Sequence, residues 1–559
     1  MNHKDLLDWV NNWANKKVVE GKNIKEILTY KNISYWWFIN ETLFYQLLRK
    51  ISINNNPKII HQSQKKRNIL LFFTKNISPH MLIVYYIFSS FFFKLIDKLV
   101  FHQKTPRNSK SIIIIYRGIP QTTLKEPNYY ASIANRLKTK NGNYHFSTVY
   151  ASSNIPHFAI KTIIDRFRYQ REIPHKILES YWSFDIWNVE RGGRKHLSKI
   201  WENIRENEGF KDSLIYKNKN IQSLIEDILN NYFFGLRFGR NLRDIEMAKR
   251  MIDYEKPDII IIGSEYSNLE RAICIAAKLK GIPTLAIQHG GIGPYHPGYI
   301  YLKEDISPEG SVESPYCPIT DKIVLYGPYD KKNLTEVSSY PENSVIVTGQ
   351  PRYDILARAN EIYNKEKTFE KLNLDKSKKL VVWATNTINF DEYAKKHINA
   401  VFDSIEKLSS EVQLVIKKHP ASYLPDLIYD EIAKNFGFKP IIMRTEIDTL
   451  ELLYASDLLI MEQSTVGLEA MILDKPVITL NFSGEPDYYH YAESGAVLGV
   501  YNEKDLIINI EKALYDKKTQ ERLKKAREKF VYEHAYKQDG KATERVCDSI
   551  EEMIKESKK

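Results

Sequence analysis

The sequence predicts an α/β fold with two Rossmann-like domains that face each other across a cleft, preceded by a helical N-terminal extension. Two alternating series of short apolar runs and helical patterns support this, over residues 111–318 and 319–535. Strands that alternate with helices indicate βαβ units, which build parallel sheets covered by helices on both faces. Residues 1–110 form the extension, and residues 536–559 predict a C-terminal helix.

Composition and charge limit the classes of function. Of the 559 residues, 43% are hydrophobic and 27% are charged, which supplies core for two domains. Basic residues exceed acidic residues by 81 − 69 = 12, and this surplus favours anionic partners such as nucleotide phosphates or a membrane surface. The sequence shows no recognition-helix, zinc-finger or RNP pattern, so we expect no nucleic acid partner.

Cysteine usage and the first residues favour a cytoplasmic protein. Cys274, Cys317 and Cys547 are far apart and form no CxxC pair, which favours reduced thiols over disulfides or a zinc site. The start, MNHKDLLDWVNNW, is polar and charged and does not resemble a signal peptide. The sequence contains no metal-binding motif and no P-loop pattern, so we expect a metal-independent mechanism without a cofactor.

The apolar run Met81–Phe93 within the extension allows two interpretations. Lys65-Lys66-Arg67 precede it, and Lys94 and Lys98 follow it. It is shorter than the about 20 apolar residues that a membrane span needs. Because the run has no clean polar face, we favour a buried helix. The alternative is an aromatic helix in a membrane interface, which would give membrane-surface contact through residues 65–101 and a peripheral location on the inner face of the cell membrane.

The two series supply the strands whose ends carry the candidate site. The first contains Ser111–Tyr116, Asp258–Ile262 and Thr284–Ile287, with basic and aromatic helices over residues 151–255 that show no motif. The second contains Ile323–Tyr326, Ser344–Thr348, Leu380–Ala384, Gln413–Lys417, Pro440–Met443, Asp457–Met461, Val477–Leu480 and Ala496–Val500. Open α/β folds bind ligands at the carboxyl ends of their strands, so the turns after these strands are the candidates.

The most informative unit is Asp457–Phe482, which predicts a strand, a helix over Ser464–Leu473 and a second strand. Its strand-to-helix turn holds Glu462, Gln463, Ser464 and Thr465. A helix N-terminus with hydroxyl groups suits a phosphate, and Glu469, one turn further, could reach a ribose hydroxyl. An ordinary capped helix would use the same residues.

Three further turns follow strands. Glu265, in Gly263-Ser264-Glu265, is a candidate general base or a plain carboxylate at a helix start. His289 precedes Gly290 and Gly291, which let a ligand approach the backbone.

The third turn, Lys417 to Pro420, holds Lys418 and His419. A cation and an imidazole could neutralise a pyrophosphate or protonate a leaving phosphate, although a basic loop stiffened by proline is the simpler alternative. Arg352, in the turn Gly349–Asp354, could contact phosphate or pair with Asp354.

Four motifs carry a resemblance to a known superfamily. AIQHGG (Ala286–Gly291), VTGQPRYD (Val347–Asp354), KKHP (Lys417–Pro420) and EQSTVGLEAMILDKPVI (Glu462–Ile478) resemble the GT-B glycosyltransferases of surface and capsular polysaccharide synthesis. Their close relatives are the CDP-glycerol glycerophosphotransferases and the UDP-N-acetylglucosamine 2-epimerases. The resemblance covers roughly residues 255–555.

The resemblance implies a nucleotide-activated donor held mainly by the C-terminal domain, and a C-terminal helix that crosses back to the first domain. Ser464 and Thr465 would lie at the donor phosphates, Glu469 at its ribose and His419 near the leaving group. Epimerases keep an acidic residue at the position of Glu265, but their second carboxylate, in His-Val-Glu-Ala-Gly, is missing here. The glycerophosphotransferases have paired serines at Ser464-Thr465 and a tryptophan at Gln288, so this chain departs from both patterns.

We therefore predict a metal-independent GT-B-type glycosyltransferase that moves a sugar from a nucleotide-activated donor to a glycan or lipid-linked acceptor. Glu265 or His289 would deprotonate the acceptor hydroxyl. Lys418, His419 and the Ser464/Thr465 helix end would stabilise the departing nucleotide. An epimerase, a glycerophosphotransferase and a non-catalytic scaffold of glycan assembly are the alternatives.

Overall fold

Two parallel β-sheets organise the chain. The computed structural model describes residues 3–54, 79–99, 109–116, 129–141, 143–150, 175–234, 237–385, 392–419, 422, 424–462, 464–483, 487 and 490–558. Within these residues one sheet has seven strands and the other has six, and helices cover both. The predicted α/β class with two Rossmann-like halves is confirmed.

The first sheet contains seven parallel strands. In spatial order they are Val345–Val347, Lys322–Leu325, Thr284–Ile287, Ile259–Ile262, Lys110–Tyr116, Tyr144–Tyr150 and His175–Ile177. The first strand in sequence lies in the interior and the order runs outward from it in both directions, as in dinucleotide-binding folds. Ile112–Ile114 and Ile259–Ile262 are fully buried, as expected for strands covered on both faces.

The second sheet repeats this order with six parallel strands. They are Ile441–Met443, Val412–Lys418, Lys379–Thr385, Leu458–Met461, Val477–Leu480 and Leu498–Val500. Again the first strand in sequence, Lys379–Thr385, lies in the interior of the sheet. The next strands are added on one side of it and the later strands on the other side, so the strand order reverses next to it. Each sheet therefore has one topological switch point.

The structure corrects the assignment of two strands. We predicted that Ile323–Tyr326 and Ser344–Thr348 open the second series. In the structure Ile323 pairs with Ala286 and with Val345, so both strands extend the first sheet. A βα repeat shows where strands occur, whereas sheet membership depends on which edge the next strand joins. The change of sheet falls between Val347 and Lys379, later than the predicted boundary at residues 318/319.

Helices and short helical turns fill the connections. The α-helices are His3–Asn15, Ile24–Ile27, Asn40–Asn54, Pro79–Leu99, Tyr129–Asn141, Phe184–Arg205, Glu208–Asp212, Gln222–Phe233, Arg237–Glu255, Asn268–Leu279, Pro328–Lys332, Ala359–Ile362, Lys365–Leu372, Glu392–Lys407, Asp426–Ala433, Thr449–Ala455, Val466–Ile472, Leu506–Tyr515, Lys517–Ala535 and Ala542–Glu556. A 3-10 helix, Pro351–Arg358, connects the last strand of the first sheet to the second half of the chain.

The N-terminal helices share a core with the first domain. Trp13 lies 6.0 Å from Phe210, ring centroid to ring centroid, and its indole N–H donates to Ser213 Oγ at 2.9 Å. The buried Arg271 guanidinium donates to the Trp37 carbonyl and to Tyr301 Oη. The described part of the extension is therefore an integral layer of this domain.

The helix Pro79–Leu99 contradicts the favoured prediction of burial. Its inner side chains, Tyr86 and Phe93, are buried, but Val84, Phe88 and Phe91 are mostly exposed. The helix is apolar on both sides, so the absence of a polar face does not imply that both sides are covered.

The C-terminal helix, Ala542–Glu556, returns to the first domain. Val546 and Ile550 join the cluster that contains Ile133. Tyr144 Oη donates to Glu551 Oε1 at 2.8 Å. Asp354 accepts the first two helical N–H groups at 2.8 and 2.7 Å, which fixes the start of the helix.

Candidate active site

The switch point of the second sheet places the most informative turn at a ligand-binding position. The strand order reverses between Lys379–Thr385 and Leu458–Met461. Ligands of open α/β folds bind in the crevice outside the carboxyl ends of the strands at this point. Glu462, Ser464 and Thr465 directly follow the second of these strands. Gln463, also predicted at the site, lies outside the described residues.

His419 lies at the same sheet edge. It directly follows the strand Val412–Lys418 and is exposed. Its backbone N–H donates to the Thr385 carbonyl at 3.2 Å, and its carbonyl accepts from Ser422 N–H at 2.9 Å. One strand separates the His419 turn from the Glu462 turn, and adjacent strands lie about 4.8 Å apart, so the two turns are about 10 Å apart along the edge. That spacing suits the length of a diphosphate group and its substituents.

The Ser464 turn is held from both sides. Ser464 Oγ accepts from Val466 N–H at 3.3 Å, and the Ser464 carbonyl accepts from Tyr491 Oη at 3.0 Å. Thr465 is the N-cap residue of the helix Val466–Ile472, but its side chain makes no capping hydrogen bond. Both side chains are partly exposed.

Arg352 and Glu469, predicted separately as donor-binding residues, lie together. Arg352 Nη2 is 3.5 Å from Glu469 Oε1, and the Glu469 side chain is buried while that of Arg352 is 41% exposed. Glu469 N–H donates to the Thr465 carbonyl at 3.4 Å, so Glu469 lies one helical turn below the Ser464 turn. The contact joins the segment that leaves the first sheet to the helix at the second switch point.

The His289 turn is exposed at its tip and fixed at its base. Buried Gln288 accepts from Tyr326 N–H at 2.7 Å and donates to the Gly290 carbonyl at 2.8 Å. The His289 side chain is exposed, and no heavy atom lies within 4 Å of a Cβ built on Gly290. A ligand can therefore approach the backbone at Gly290 beside the imidazole.

Asp330 is a second support of this turn. Its Oδ1 accepts from Ile292 N–H at 3.1 Å. Burial raises the pKa of Asp330 to about 7, against hydrogen bonds from Ile292, Gln288 and Gly327 that act to lower it. The neighbouring Asn333 donates to the Ile292 carbonyl at 2.7 Å. The His289 turn is thus held by a carboxyl group that is half-protonated near neutral pH.

A continuous series of contacts connects the His289 turn with the Ser464 turn. Tyr329, next to Asp330, packs on His534 with ring centroids 4.3 Å apart, and His534 stacks on Phe530 at 3.9 Å. Phe530 in turn contacts Tyr491, the residue that holds the Ser464 carbonyl. Burial lowers the pKa of His534 to about 4, so this ring is neutral at physiological pH. Both turns therefore border one interdomain junction.

Glu265 does not occupy the predicted position of a general base. It is buried, and its carboxylate accepts from Thr320 Oγ1 at 2.6 Å, from Thr320 N–H at 3.2 Å and from Tyr340 Oη. These donors hold the carboxylate in the core between the strands. The structure therefore corrects the prediction, because a base must reach the proton that it removes.

The Lys418 side chain does not reach the predicted phosphate site either. Its side chain is completely buried, donates to the Leu424 carbonyl at 2.5 Å, pairs with Asp426 and lies over the Tyr429 ring at 5.6 Å. Successive strand residues point to opposite faces, and at this position the side chain points into the helix-covered face. His419 is the residue of this turn that remains exposed.

Two groups near the candidate site were not predicted from the sequence. His397, on the helix Glu392–Lys407, lies with Nδ1 3.9 Å from Glu462 Oε1 and packs on Phe482 at 4.8 Å. Asp330 was the second. Asp330 and His397 lie on helices whose sequences carry no motif. For His397, the one available signal was its partner Glu462, which directly follows a strand.

The described residues contain no group of three or more His, Cys, Asp or Glu side chains placed to hold a metal ion. The three cysteines are buried and free.

Residues 313–552 match the family model of the CDP-Glycerol:Poly(glycerophosphate) glycerophosphotransferases. This match includes the Arg352, His419, Ser464 and Glu469 positions and extends into the C-terminal helix. The resemblance to the GT-B superfamily that the motifs indicated is thereby confirmed. No curated protein matches the chain.

Three solved structures are among those whose chain paths are similar to this one. A UDP-GlcNAc 2-epimerase from Neisseria meningitidis has a TM-score of 0.48 and 14% identity, with 79% of this chain and 100% of that chain covered. A variant of the wall teichoic acid polymerase TagF has a TM-score of 0.44 and 13% identity, with 92% and 98% covered. A glycosyltransferase from Rickettsia africae has a TM-score of 0.44 and 14% identity, with 80% and 99% covered. Likeness at this level identifies no substrate.

Proposed function

We propose that the protein is a transferase that moves a polyol phosphate from a nucleotide-linked donor to a cell-surface polymer or its lipid-linked precursor. The family match over residues 313–552 carries this proposal, because it includes the second switch point and the Arg352, Ser464 and Glu469 positions. The match supports a transferase of cell-surface polymer synthesis. That the transferred group is a polyol phosphate is a more specific proposal, which goes beyond this support.

The donor would lie at the carboxyl edge of the second sheet. Ser464 and Thr465 would hold its phosphates, as would Gln463, and Arg352 would contribute positive charge beside Glu469. Glu469 would accept hydrogen bonds from the ribose. Gly290 would allow close approach from the first domain. Lys418 and Glu265 have no part in this arrangement, because both are buried in other contacts.

Two exposed histidines, His289 and His419, suit the acceptor side and the leaving-group side of the transfer. His289 would take the proton from the acceptor hydroxyl, whose oxygen then attacks the phosphorus of the transferred group. His419 would stabilise the leaving nucleotide, which departs as a nucleoside monophosphate when a phosphate group is transferred. Positioned acid–base groups of this kind contribute about 10²–10⁴-fold in rate. No metal ion or cofactor enters this scheme.

Glycosyl transfer, the original prediction, is the second candidate. The observation that favours it is the departure from the glycerophosphotransferase pattern at Gln288 and at Ser464-Thr465. Gln288 is fully buried and bridges Tyr326 and Gly290, so it replaces the large aromatic side chain of that pattern inside the turn itself. Sugar transfer would release a nucleoside diphosphate.

Turnover assays with CDP-linked polyols and UDP-linked sugars test the proposal. We expect release of CMP from a CDP-linked polyol only when an acceptor polymer is present, with phosphate appearing in the product. His419→Ala should lower turnover by about 10²-fold or more. The matched control is His196→Ala, an exposed histidine on the helix Phe184–Arg205 in the first domain.

Each alternative gives a different result. UDP release with a phosphate-free product would establish glycosyl transfer instead. Conversion of a UDP-sugar without any acceptor would establish an epimerase. Full turnover in His419→Ala would remove that residue from the mechanism.

A further inference from the structure

A cavity lies at the amino edge of the second sheet, on the side away from the candidate donor site. Lys379, which lines it, begins the strand Lys379–Thr385. Asp457 and Pro476 also line it, and each directly precedes a neighbouring strand of the same sheet. The seven residues of the strand Lys379–Thr385 span about 20 Å, so this cavity is separate from the crevice at the carboxyl edge.

The cavity has the size of a small-molecule site and is walled by two helices. Its volume is about 480 Å³, which is within the usual range for ligand pockets. Buried Ala513 and Leu514, near the end of the helix Leu506–Tyr515, supply apolar surface. The other wall is one face of the helix Lys517–Ala535, and its members recur at three- or four-residue spacing: Lys517, Gln520, Glu521, Lys524 and Arg527.

The acid at the sheet side of the cavity is already neutralised by a cation outside the lining. Both carboxylate oxygens of Asp457 accept from Lys365 Nζ at 2.8 Å, and one of them also accepts from Leu380 N–H at 2.9 Å. Lys379 Nζ lies further away, at 3.6 Å, and its side chain is 50% exposed. Lys379 is therefore available to an anion in the cavity.

Arg527 is the most deeply buried cation of the lining, at 5% exposure. Its Nη2 donates to Asp474 Oδ1 at 2.6 Å. Its Nε and Nη1 are buried and have no hydrogen-bond partner among the residues that the structure describes, whereas buried donors nearly always have one. Lys524 Nζ, one turn earlier, lies 3.6 Å from Asp474 Oδ2. Asp474 is thus shared by two cations, which leaves positive charge for a ligand.

The other polar side chains of the helix wall can accept hydrogen bonds. Gln520 Nε2 donates to the Leu514 carbonyl at 2.8 Å and to the Ala513 carbonyl at 3.0 Å, so its amide oxygen can accept from a ligand. Glu521 is exposed at the rim and contributes a carboxylate. Cations beside such acceptors match a molecule that carries both a phosphate group and hydroxyl groups.

We propose that this cavity binds a small phosphate monoester that carries hydroxyl groups, such as a sugar phosphate. Lys517, Lys524 and Arg527 would hold the phosphate oxygens, and Gln520 and Glu521 would accept from the hydroxyl groups. Lys517 and Lys524 are two helical turns, about 10 Å, apart, so their long side chains can meet at one group between them. This inference does not depend on the donor or on the chemistry of transfer.

Isothermal titration calorimetry of the full chain tests this proposal. The probes are glucose 6-phosphate, inorganic phosphate and glucose. We expect the wild type to bind glucose 6-phosphate more tightly than inorganic phosphate and not to bind glucose, because the cations need the phosphate group and the acceptors add to it. The double variant Lys517→Ala/Lys524→Ala should bind glucose 6-phosphate at least about tenfold more weakly, because two charge-assisted contacts are lost.

The matched control is Lys518→Ala/Lys525→Ala, which removes the same charge one residue further along the same helix. Both lysines are exposed, and a shift of one residue turns a side chain by about 100° away from the cavity. This control should bind glucose 6-phosphate like the wild type. Circular dichroism should show the same melting temperature for all three proteins, since the four replaced side chains are exposed.

Arg352→Ala separates this cavity from the candidate donor site and should also bind glucose 6-phosphate like the wild type. Equal affinities of the two double variants would overturn the proposal, as would a wild type that binds glucose 6-phosphate no more tightly than inorganic phosphate. Binding that is lost in Arg352→Ala and kept in Lys517→Ala/Lys524→Ala would place the sugar phosphate at the carboxyl edge instead.

Discussion

At the scale of single residues, Asp330 connects the fold to the candidate chemistry. Its carboxyl group accepts from Ile292 N–H and thereby fixes the exposed His289 turn. Burial raises its pKa to about 7 from an ordinary value of 3.8. Between about pH 4 and pH 7 the unfolded chain has lost the proton that the folded protein keeps, so the free energy of unfolding falls as the pH rises.

Asp330→Asn should remove this part of the pH dependence. The amide oxygen can still accept from Ile292 N–H, but the side chain has no proton to lose. Between pH 4 and pH 8, deprotonation of Asp330 should lower the free energy of unfolding of the wild type by at most about 4 kcal/mol. The variant should not show this loss, so its stability relative to the wild type should rise with pH. Urea denaturation at pH 5 and pH 8 measures the difference.

The control for this prediction is Asp403→Asn, a partly exposed residue that pairs with Lys407 within the helix Glu392–Lys407. It should keep the wild-type pH dependence. If Asp330→Asn and the wild type show parallel stability curves, Asp330 is ionised in the folded protein throughout this range.

Arg352 should affect donor binding more than the rate of turnover. Arg352→Ala removes the cation that lies 3.5 Å from Glu469 at the second switch point. Loss of one charge-assisted contact is worth about 1.5–3 kcal/mol, so the donor KM should rise about tenfold or more while kcat changes less. Arg358→Ala, an exposed arginine in the same 3-10 helix, is the control and should behave like the wild type. A normal donor KM in Arg352→Ala would exclude this contact.

Sequence position predicted the location of some candidate residues well and the location of others poorly. His289, His419 and Ser464 were found because each follows a strand, and the carboxyl ends of parallel strands share one edge. Glu265 and Lys418 also follow or end strands, but both are buried by partners distant in sequence, Thr320 and Tyr340 for the first and Asp426 for the second. The identity of those partners cannot be predicted from spacing.

At the scale of elements, Asp354 fixes the start of the returning C-terminal helix. Its two carboxylate oxygens accept from Ala542 N–H and Thr543 N–H. Asp354→Ala should lower the free energy of unfolding by about 1–2 kcal/mol, and Asp354→Asn by less, as measured by urea denaturation. The exposed Glu361→Ala should change it by less than about 0.5 kcal/mol. Equal stability of Asp354→Ala and the wild type would show that other contacts fix the helix.

Most strands could be located from the sequence, whereas their sheet could not. The buried runs Ile259–Ile262 and Leu458–Met461 were predicted to within one residue. Lys322–Leu325 and Val345–Val347 were assigned to the wrong sheet, because a βα repeat looks the same whichever edge the next strand joins. For the run Met81–Phe93 we favoured burial, but Val84, Phe88 and Phe91 are mostly exposed, because hydrophobicity alone does not reveal what covers a helix.

At the scale of the whole molecule, the junction between the domains depends on Gly327. A Cβ at this position would lie 2.2 Å from the Glu533 carbonyl oxygen, near the end of the helix Lys517–Ala535. Gly327→Ala should therefore push the two domains apart and cost about 1–3 kcal/mol of stability. Gly293→Ala is the control, since nothing lies within 4 Å of its Cβ. An unchanged melting temperature for Gly327→Ala would show that the junction accommodates the added Cβ without loss of stability.

Nucleotide binding is the most direct test of the central claim, that the second switch point holds a nucleotide-linked donor. Isothermal titration calorimetry would compare CDP, UDP and CMP with the wild type, Arg352→Ala and Arg358→Ala. We expect at least one nucleotide to bind the wild type and Arg358→Ala equally, and Arg352→Ala about tenfold or more weakly. Failure of all three nucleotides to bind the wild type, or equal binding by Arg352→Ala, would contradict the claim.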